Sequence, residues 1–511
     1  MGGVIQLQIV PQNRPRFIDR FGLHQRVGFG MTQPRVLGWL GVVLVCACAA
    51  SDSRFEPAAA KPPNVLLLCV DDLRPELGAY GVDYIRSPNI DTLASEGRVF
   101  TRHYVQAPTC GASRYALLTG TYSEGGASRG NQALVQRAAN MAMARISLPE
   151  VFRRAGYTTV SIGKVSHHPG GRHGADWDDP GSIEMPGAWS RQNMPSGPWK
   201  HPEGAMHALA NGQARVRGET PALESFDGDD RSYPDGWIAD RAVQELENLA
   251  RAETPFFLAV GFIRPHLPFG APARYMRPYA DIALPPIPHP QKPEGKTTWH
   301  GSGEFFGGYS HAGRDPRKDE EYATRVRKHY AACVSYVDHL VGQVLQRLSD
   351  LELENETIVI LWGDHGWHLG EHGIWGKHAL YEESLRSPLI VRVPGMRLPG
   401  AKSAAIVESV DIFPTLCELA GVPVPESLDG RSLAPQLVTP ETKGRPAISY
   451  RGNAETIRTE SYRLIRHGSG GTTMFCELYD HEADPGETRN IAEEEEGRVA
   501  YLLQMLGGRL D

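Results

Sequence analysis

Asn64-Val65-Leu66-Leu67-Leu68-Cys69-Val70-Asp71-Asp72 decides the architecture of this chain. An uncharged, mostly apolar run follows Pro62-Pro63 and ends in two carboxylates. A continuous apolar run of this kind reads as a strand buried on both faces, as in a sheet with helices on each side. Open α/β sheets gather ligands beyond the carboxyl ends of their strands, so Asp71 and Asp72 stand where a site is expected. Two adjacent carboxylates repel each other unless a cation or a proton intervenes. An exposed Asp-Asp turn is the plainer alternative, and the rest of the chain decides between them.

Outward from this run the pattern repeats. Apolar strand patterns at 158–162, 254–262, 357–362 and 388–394 alternate with helical patterns at 148–155, 235–251 and 319–351. The expected fold class is α/β, a large mixed, mostly parallel sheet sandwiched by helices. Short strands at 447–450, 455–458 and 462–466 predict a small C-terminal α+β subdomain containing an antiparallel sheet. The expected boundaries are 1–50 for an N-terminal extension and secretory signal, 62–435 for a catalytic domain and 436–511 for the C-terminal subdomain. Residues 169–234 and 270–320 are rich in Gly and Pro and read as long loops around a cleft.

Several strand ends carry chemistry-bearing residues. Lys164, His167 and His168 follow the 158–162 strand, His266 sits between Pro265 and Pro268, and Asp364-His365 closes the 357–362 strand. A histidine on a rigid proline-flanked loop suits a positioned acid or base. Asp71, Asp72 and Asp364 are hard oxygen donors, which favour Ca²⁺ or Mg²⁺ over zinc. In Pro108-Thr109-Cys110-Gly111-Ala112-Ser113-Arg114, Pro108 and Gly111 break regular structure and a helix can begin by Ser113. Cys110 then stands at a helix N-terminus, where free N–H groups favour an anion, and Arg114 is about one turn on.

Cys110-Gly111-Ala112-Ser113-Arg114, with its Leu117-Leu118-Thr119-Gly120 tail, resembles the signature of the type I, formylglycine-dependent sulfatases of the alkaline phosphatase superfamily. Ala112 stands where the commonest form has proline. Asp71-Asp72, Pro88-Asn89-Ile90-Asp91, Gly163-Lys164 with His167, Pro265-His266-Leu267-Pro268 and Gly363-Asp364-His365-Gly366 resemble further elements of that family, in its order. Within it, the strings around Pro265-His266 and from Gly363 to His372 are most similar to the iduronate-2-sulfatase members.

The resemblance implies an alkaline phosphatase-like fold. It implies that a maturation enzyme converts Cys110 to formylglycine (3-oxoalanine), whose hydrate attacks the sulfur of a sulfate ester. It implies one divalent cation, Ca²⁺ preferred and Mg²⁺ the alternative, held by Asp71, Asp72, Asp364, His365 and position 110; His365 alternatively bonds to the nucleophile or the sulfate. Arg114, Lys164 and Lys377 would neutralise the sulfuryl oxygens. His266 and Lys377 would protonate the leaving alcohol. His167, or His168 in its place, would be the base that releases sulfate. The implied substrate is a sulfated carbohydrate of the iduronate-2-sulfatase kind. Two other readings are a formylglycine-dependent phosphonate or phosphate ester hydrolase of the same superfamily and an inactive secreted glycan-binding homologue.

With 53 Lys and Arg against 60 Asp and Glu, the 511-residue chain carries a formal charge of −7. That gives no global attraction for nucleic acid, so an anionic substrate must be held by local charge. Arginines from Arg14 to Arg35, an apolar run at 36–45 and Ala47-Cys48-Ala49-Ala50 read as a secretory signal, too short for a stable membrane span. Export to a periplasm, the extracellular space or an equivalent lumen is expected. Beyond the signal lie Cys69, Cys110, Cys333, Cys417 and Cys476, an odd count that flags at least one special thiol.

Overall fold

The computed structural model describes residues 61–140, 145–469 and 472–510. The expected N-terminal signal lies outside the described residues. Asn64–Val70 is a strand with all of its residues buried. It pairs in parallel with Phe256–Phe262 on one side and Thr357–Gly363 on the other. The eight-stranded sheet runs, in spatial order, Lys402–Glu408, Arg98–Tyr104, Leu389–Arg392, Thr357–Gly363, Asn64–Val70, Phe256–Phe262, Thr158–Gly163 and Arg191–Asn193. Leu389–Arg392 runs against both of its neighbours, and every other pairing in this sheet is parallel.

Alternation of side chains along the strands builds two cores. Leu66, Leu68 and Val70 pack on one face with Ile90, Ile238 and Val337. These belong to helices Pro88–Glu96, Pro234–Ala250 and Glu320–Asp350. Val65, Leu67 and Cys69 pack on the other face with Leu117, Phe152 and Leu416, from Cys110–Thr119, Leu148–Arg154 and Ile412–Ala420. A residue with no solvent-facing side cannot alternate polar and apolar, which is why the run at 64–70 is apolar throughout.

Ala447–Arg451, Ala454–Arg458, Tyr462–Ser469 and Thr472–Asp480 form a sequential antiparallel sheet. Leu502 and Leu506 of the Glu496–Leu510 helix cover its Ile457, Leu464 and Leu478. Lys402–Glu408, outside the strand patterns expected from the sequence, is an edge strand parallel to Arg98–Tyr104. A single tight turn at Ser409–Asp411 leads into the helix Ile412–Ala420. The five described cysteines are all free. Among the described residues, no helix is long and apolar enough to cross a membrane.

Candidate active site

Asp71 and Asp72 leave the end of Asn64–Val70 in a sharp turn. Asp71 N donates to Phe262 O at 3.3 Å, and Asp72 adopts a left-handed backbone with φ 56°. The Tyr330 hydroxyl donates to Asp72 O at 2.8 Å and fixes that turn. Asp72 N donates to Asp364 Oδ1 at 2.9 Å, joining the ends of two neighbouring strands. A Cβ at Gly261 would stand 2.1 Å from Lys164 O, so only glycine lets the chain bring Lys164 past the third strand end.

Arg114 lies beneath these carboxylates with no solvent exposure. Its Nε donates to Asp364 Oδ2 at 3.0 Å and an Nη to Asp71 Oδ1 at 3.3 Å. Its other Nη donates to Val165 O at 3.1 Å and also to Lys164 O. All of these Arg114 donors are turned to the protein, so its positive charge reaches the site through the carboxylates it holds. Lys164 Nζ forms an ion pair with Asp71 and is likewise fully buried.

Cys110 opens the helix Cys110–Thr119, three residues earlier than the helical pattern suggested, because Thr109 stays extended and marks the boundary. Its Sγ is 3.2 Å from His365 Nε2 and 3.3 Å from Lys377 Nζ. Lys377 Nζ also donates to Asp72 Oδ1 at 2.8 Å. His365 Nδ1 is 3.0 Å from Gly366 O, so its proton belongs on that nitrogen and Nε2 offers a lone pair to the cluster.

The charges are unequally settled. Burial works against ionising Asp71, but Lys164, with His266 and Arg114, overcomes it and holds the carboxyl well below the usual range. Burial pushes Asp72 well above that range, and Lys377 does not offset it against Asp71, Glu304 and Asp364. Burial and the Asp71 charge raise Asp364 to about 7. Burial also pushes the Cys110 thiol well up. Asp72 Oδ2 is buried with no hydrogen-bond partner. An orphaned oxygen beside carboxylates that resist ionisation is what a divalent cation relieves. Single donor atoms of Asp71, Asp72, Cys110 and His365 all lie within 4.8 Å of one another. The residues present therefore fit such an ion. Asp364 stands just behind, with Oδ1 held by Asp72 N and Oδ2 by Arg114.

Above Cys110 opens a cavity of about 300 Å³ whose lining includes His167, His266, Lys377, Glu304, Arg215 and Arg217. His266 Nδ1 is 2.8 Å from Leu267 O, which leaves Nε2 toward the cavity, 3.8 Å from Glu304 Oε1. Burial, Lys377 and Lys164 hold His266 well below its usual pKa. His167 lines the cavity with Nδ1 unpartnered, whereas His168 is turned to Glu184 at 3.0 Å. Sequence reasoning missed Glu304, which lies 3.7 Å from Lys377 Nζ and 3.5 Å from His378 Nε2. It sits on the short helix Gly303–Gly308 inside a Gly-rich stretch with no periodic signal. His378, next to Lys377, was findable from adjacency alone; its Nδ1 is 2.9 Å from Pro108 O.

A family model described as Sulfatase matches residues 63–422, and one described as N-sulphoglucosamine sulphohydrolase, C-terminal, matches residues 370–510. Iduronate 2-sulfatase of Homo sapiens is 33% identical over 440 residues, which cover 76% of this chain and 75% of that protein. The phosphonate monoester hydrolase of Agrobacterium radiobacter has the same fold, with a TM-score of 0.68 at 23% identity over 88% of this chain and 95% of its own. A structure solved in complex with its substrate D-glucosamine-2-N,6-O-disulfate gives a TM-score of 0.64 at 23% identity, covering 88% of this chain and 98% of that one.

Proposed function

The chain belongs to the sulfatase family and is a sulfuric ester hydrolase, and from that premise we propose that it removes an O-sulfate from a sulfated carbohydrate. Position 110 is the nucleophile's place in this reading, next to one divalent cation. The observation that carries it is the convergence on Cys110 of His365, Lys377 and two carboxylates at the floor of a cavity.

Formylglycine at position 110, where the maturation enzyme has made it, supplies an oxygen nucleophile that a thiol cannot, and a divalent cation lowers the pKa of such an oxygen and polarises the ester. Asp71, Asp72, Asp364, His365 and position 110 are the proposed ligands, and an oxygen-rich set suits Ca²⁺, with Mg²⁺ second. The other residues do the positioning and the proton work. Arg114 aligns Asp71 and Asp364 from behind. Lys164 keeps Asp71 ionised and adds positive charge at the back of the site. Lys377, whose pKa burial would lower but Asp72 and Cys110 hold well above the usual value, bears the proton nearest the nucleophile. It would stabilise the sulfuryl oxygens and, with His266, serve the leaving alcohol. His167, which lines the cavity and leaves its Nδ1 without a hydrogen-bond partner, is the base for sulfate release. Arg215 and Arg217 on the wall would take a second anionic group, which favours a sulfated or uronate-containing glycan. Export through the N-terminal segment fits such an extracytoplasmic substrate.

Peptide mass spectrometry across residue 110, combined with turnover of p-nitrophenyl sulfate, p-nitrophenyl phosphate and a phenylphosphonate ester, tests the reading. Formylglycine-bearing protein should favour the sulfate and lose activity on exhaustive chelation. Cys110→Ala should abolish turnover with an unchanged circular dichroism spectrum. Full activity with a free thiol at 110 would sink the nucleophile, and preference for the phosphonate would assign the other chemistry of the superfamily.

A further inference from the structure

Beyond the catalytic cluster, three buried acceptors point at one another. His368 lies on the two-residue strand His368–Leu369, His372 in the turn Glu371–Gly373, and Glu383 on the helix Glu382–Leu385. Both imidazoles are fully buried, and the Glu383 side chain is 16% exposed. His368 Nε2, His372 Nδ1 and Glu383 Oε2 each lack a hydrogen-bond partner.

The other ring nitrogens are committed. His372 Nε2 is 2.7 Å from Gly486 O, so it carries the proton and Nδ1 is a lone pair. His368 Nδ1 is 2.9 Å from Ser384 Oγ; donating there, it turns its Nε2 lone pair inward. An imidazole whose far N–H is held by a carbonyl or hydroxyl is in the tautomer that ligates metal. The distances agree. Glu383 Oε2 is 3.4 Å from His368 Nε2 and 3.7 Å from His372 Nδ1. Both exceed a hydrogen bond of about 2.7–3.2 Å. Two donors each about 2.1 Å from a tetrahedral zinc stand about 3.4 Å apart. No lysine or arginine pairs with Glu383 among the described residues. A neighbouring acidic cluster, Glu382, His481 and Glu487, is by contrast already neutralised by Arg463.

We propose that His368, His372 and Glu383 bind a Zn²⁺ ion, with water from the partly exposed Glu383 side completing a tetrahedron. Two imidazoles and one carboxylate suit zinc better than calcium. The ion clips the loop that carries Asp364, His365 and Lys377 to the helix Glu382–Leu385. It makes no contact with the reacting groups, so its role is structural.

The test uses Cys110→Ala, Cys476→Ser protein in saturating Ca²⁺, which removes the thiol of the catalytic cluster and the part-exposed thiol and fills the oxygen-rich site. Zn²⁺ is titrated against a chromophoric chelator, and Co²⁺ is followed by visible absorption. One equivalent of Zn²⁺ should bind, Co²⁺ should give the intense bands of a tetrahedral N/O site, and Glu383→Gln should weaken binding about 100-fold. His368→Asn should abolish it; Glu383→Gln, at the exposed end, carries the test if that variant misfolds. Absence of bound zinc, or equal affinity in the parent and Glu383→Gln, would overturn the site.

Discussion

Arg114 uses every edge of its guanidinium on the protein, reaching two carboxylates and two carbonyls on three different strand ends. A lysine has one nitrogen and no planar fork, so it cannot hold this set. Arg114→Lys should keep the sheet, since charge and most volume remain. Misplacing Asp71 and Asp364 by even about 1 Å should lower kcat by about 100-fold and weaken the cation. Steady-state kinetics with a Ca²⁺ titration checks this; kcat and cation affinity like wild type would show that the fork is dispensable. The sequence made Arg114 visible, but not the direction it faces. Spacing along a helix gives neighbours on the same face, and only the burial of Cys110–Thr119 against Asp364 reveals that the arginine points to the carboxylates.

At the scale of elements, one buried carboxylate is among the ties between the C-terminal sheet and the catalytic part. Glu487 bonds Arg463 on one side and accepts from Glu382 N at 2.8 Å on the other. Burial alone would raise its pKa, but the Arg463 charge overcomes it and holds the carboxyl well below the usual range. A depressed carboxylate contributes stability above its unfolded pKa and loses it as pH falls, so this tie weakens below about pH 4. Glu487→Gln leaves the Arg463 guanidinium half-paired in the interior and should cost about 3–5 kcal/mol. Urea denaturation at pH 7 and pH 3.5 reads both effects. The gap between variant and parent should shrink at the lower pH, and a constant gap would contradict the linkage. The central strands were legible because burial on both faces leaves a continuous apolar run. Lys402–Glu408 was not, because its edge position alternates exposed and buried residues at its start. The site was legible wherever ligands follow a strand end. Glu304 comes from an irregular stretch whose position is set by tertiary packing alone, so no local pattern marked it.

Over the whole molecule, a chain of net charge −7 must draw in a negatively charged substrate. The cavity wall does so locally, with Arg215, Arg217 and Lys377 around Cys110. Replacing Arg215 and Arg217 together with alanine should raise KM for a sulfated oligosaccharide about 10-fold or more, while p-nitrophenyl sulfate, which lacks a second anion, changes little. An equal loss for both substrates would move these arginines from recognition to structure. One further feature sets a timetable. His103 to Arg114 is an unbroken buried stretch, and Cys110 itself is 2% exposed. A catalyst that must grip the backbone on both sides of residue 110 has no purchase on the folded protein. Under the reading proposed above, the chemistry of position 110 is settled while the chain is still open. Folding then works as a shutter, and a molecule that closes with its thiol intact stays inactive however long it survives.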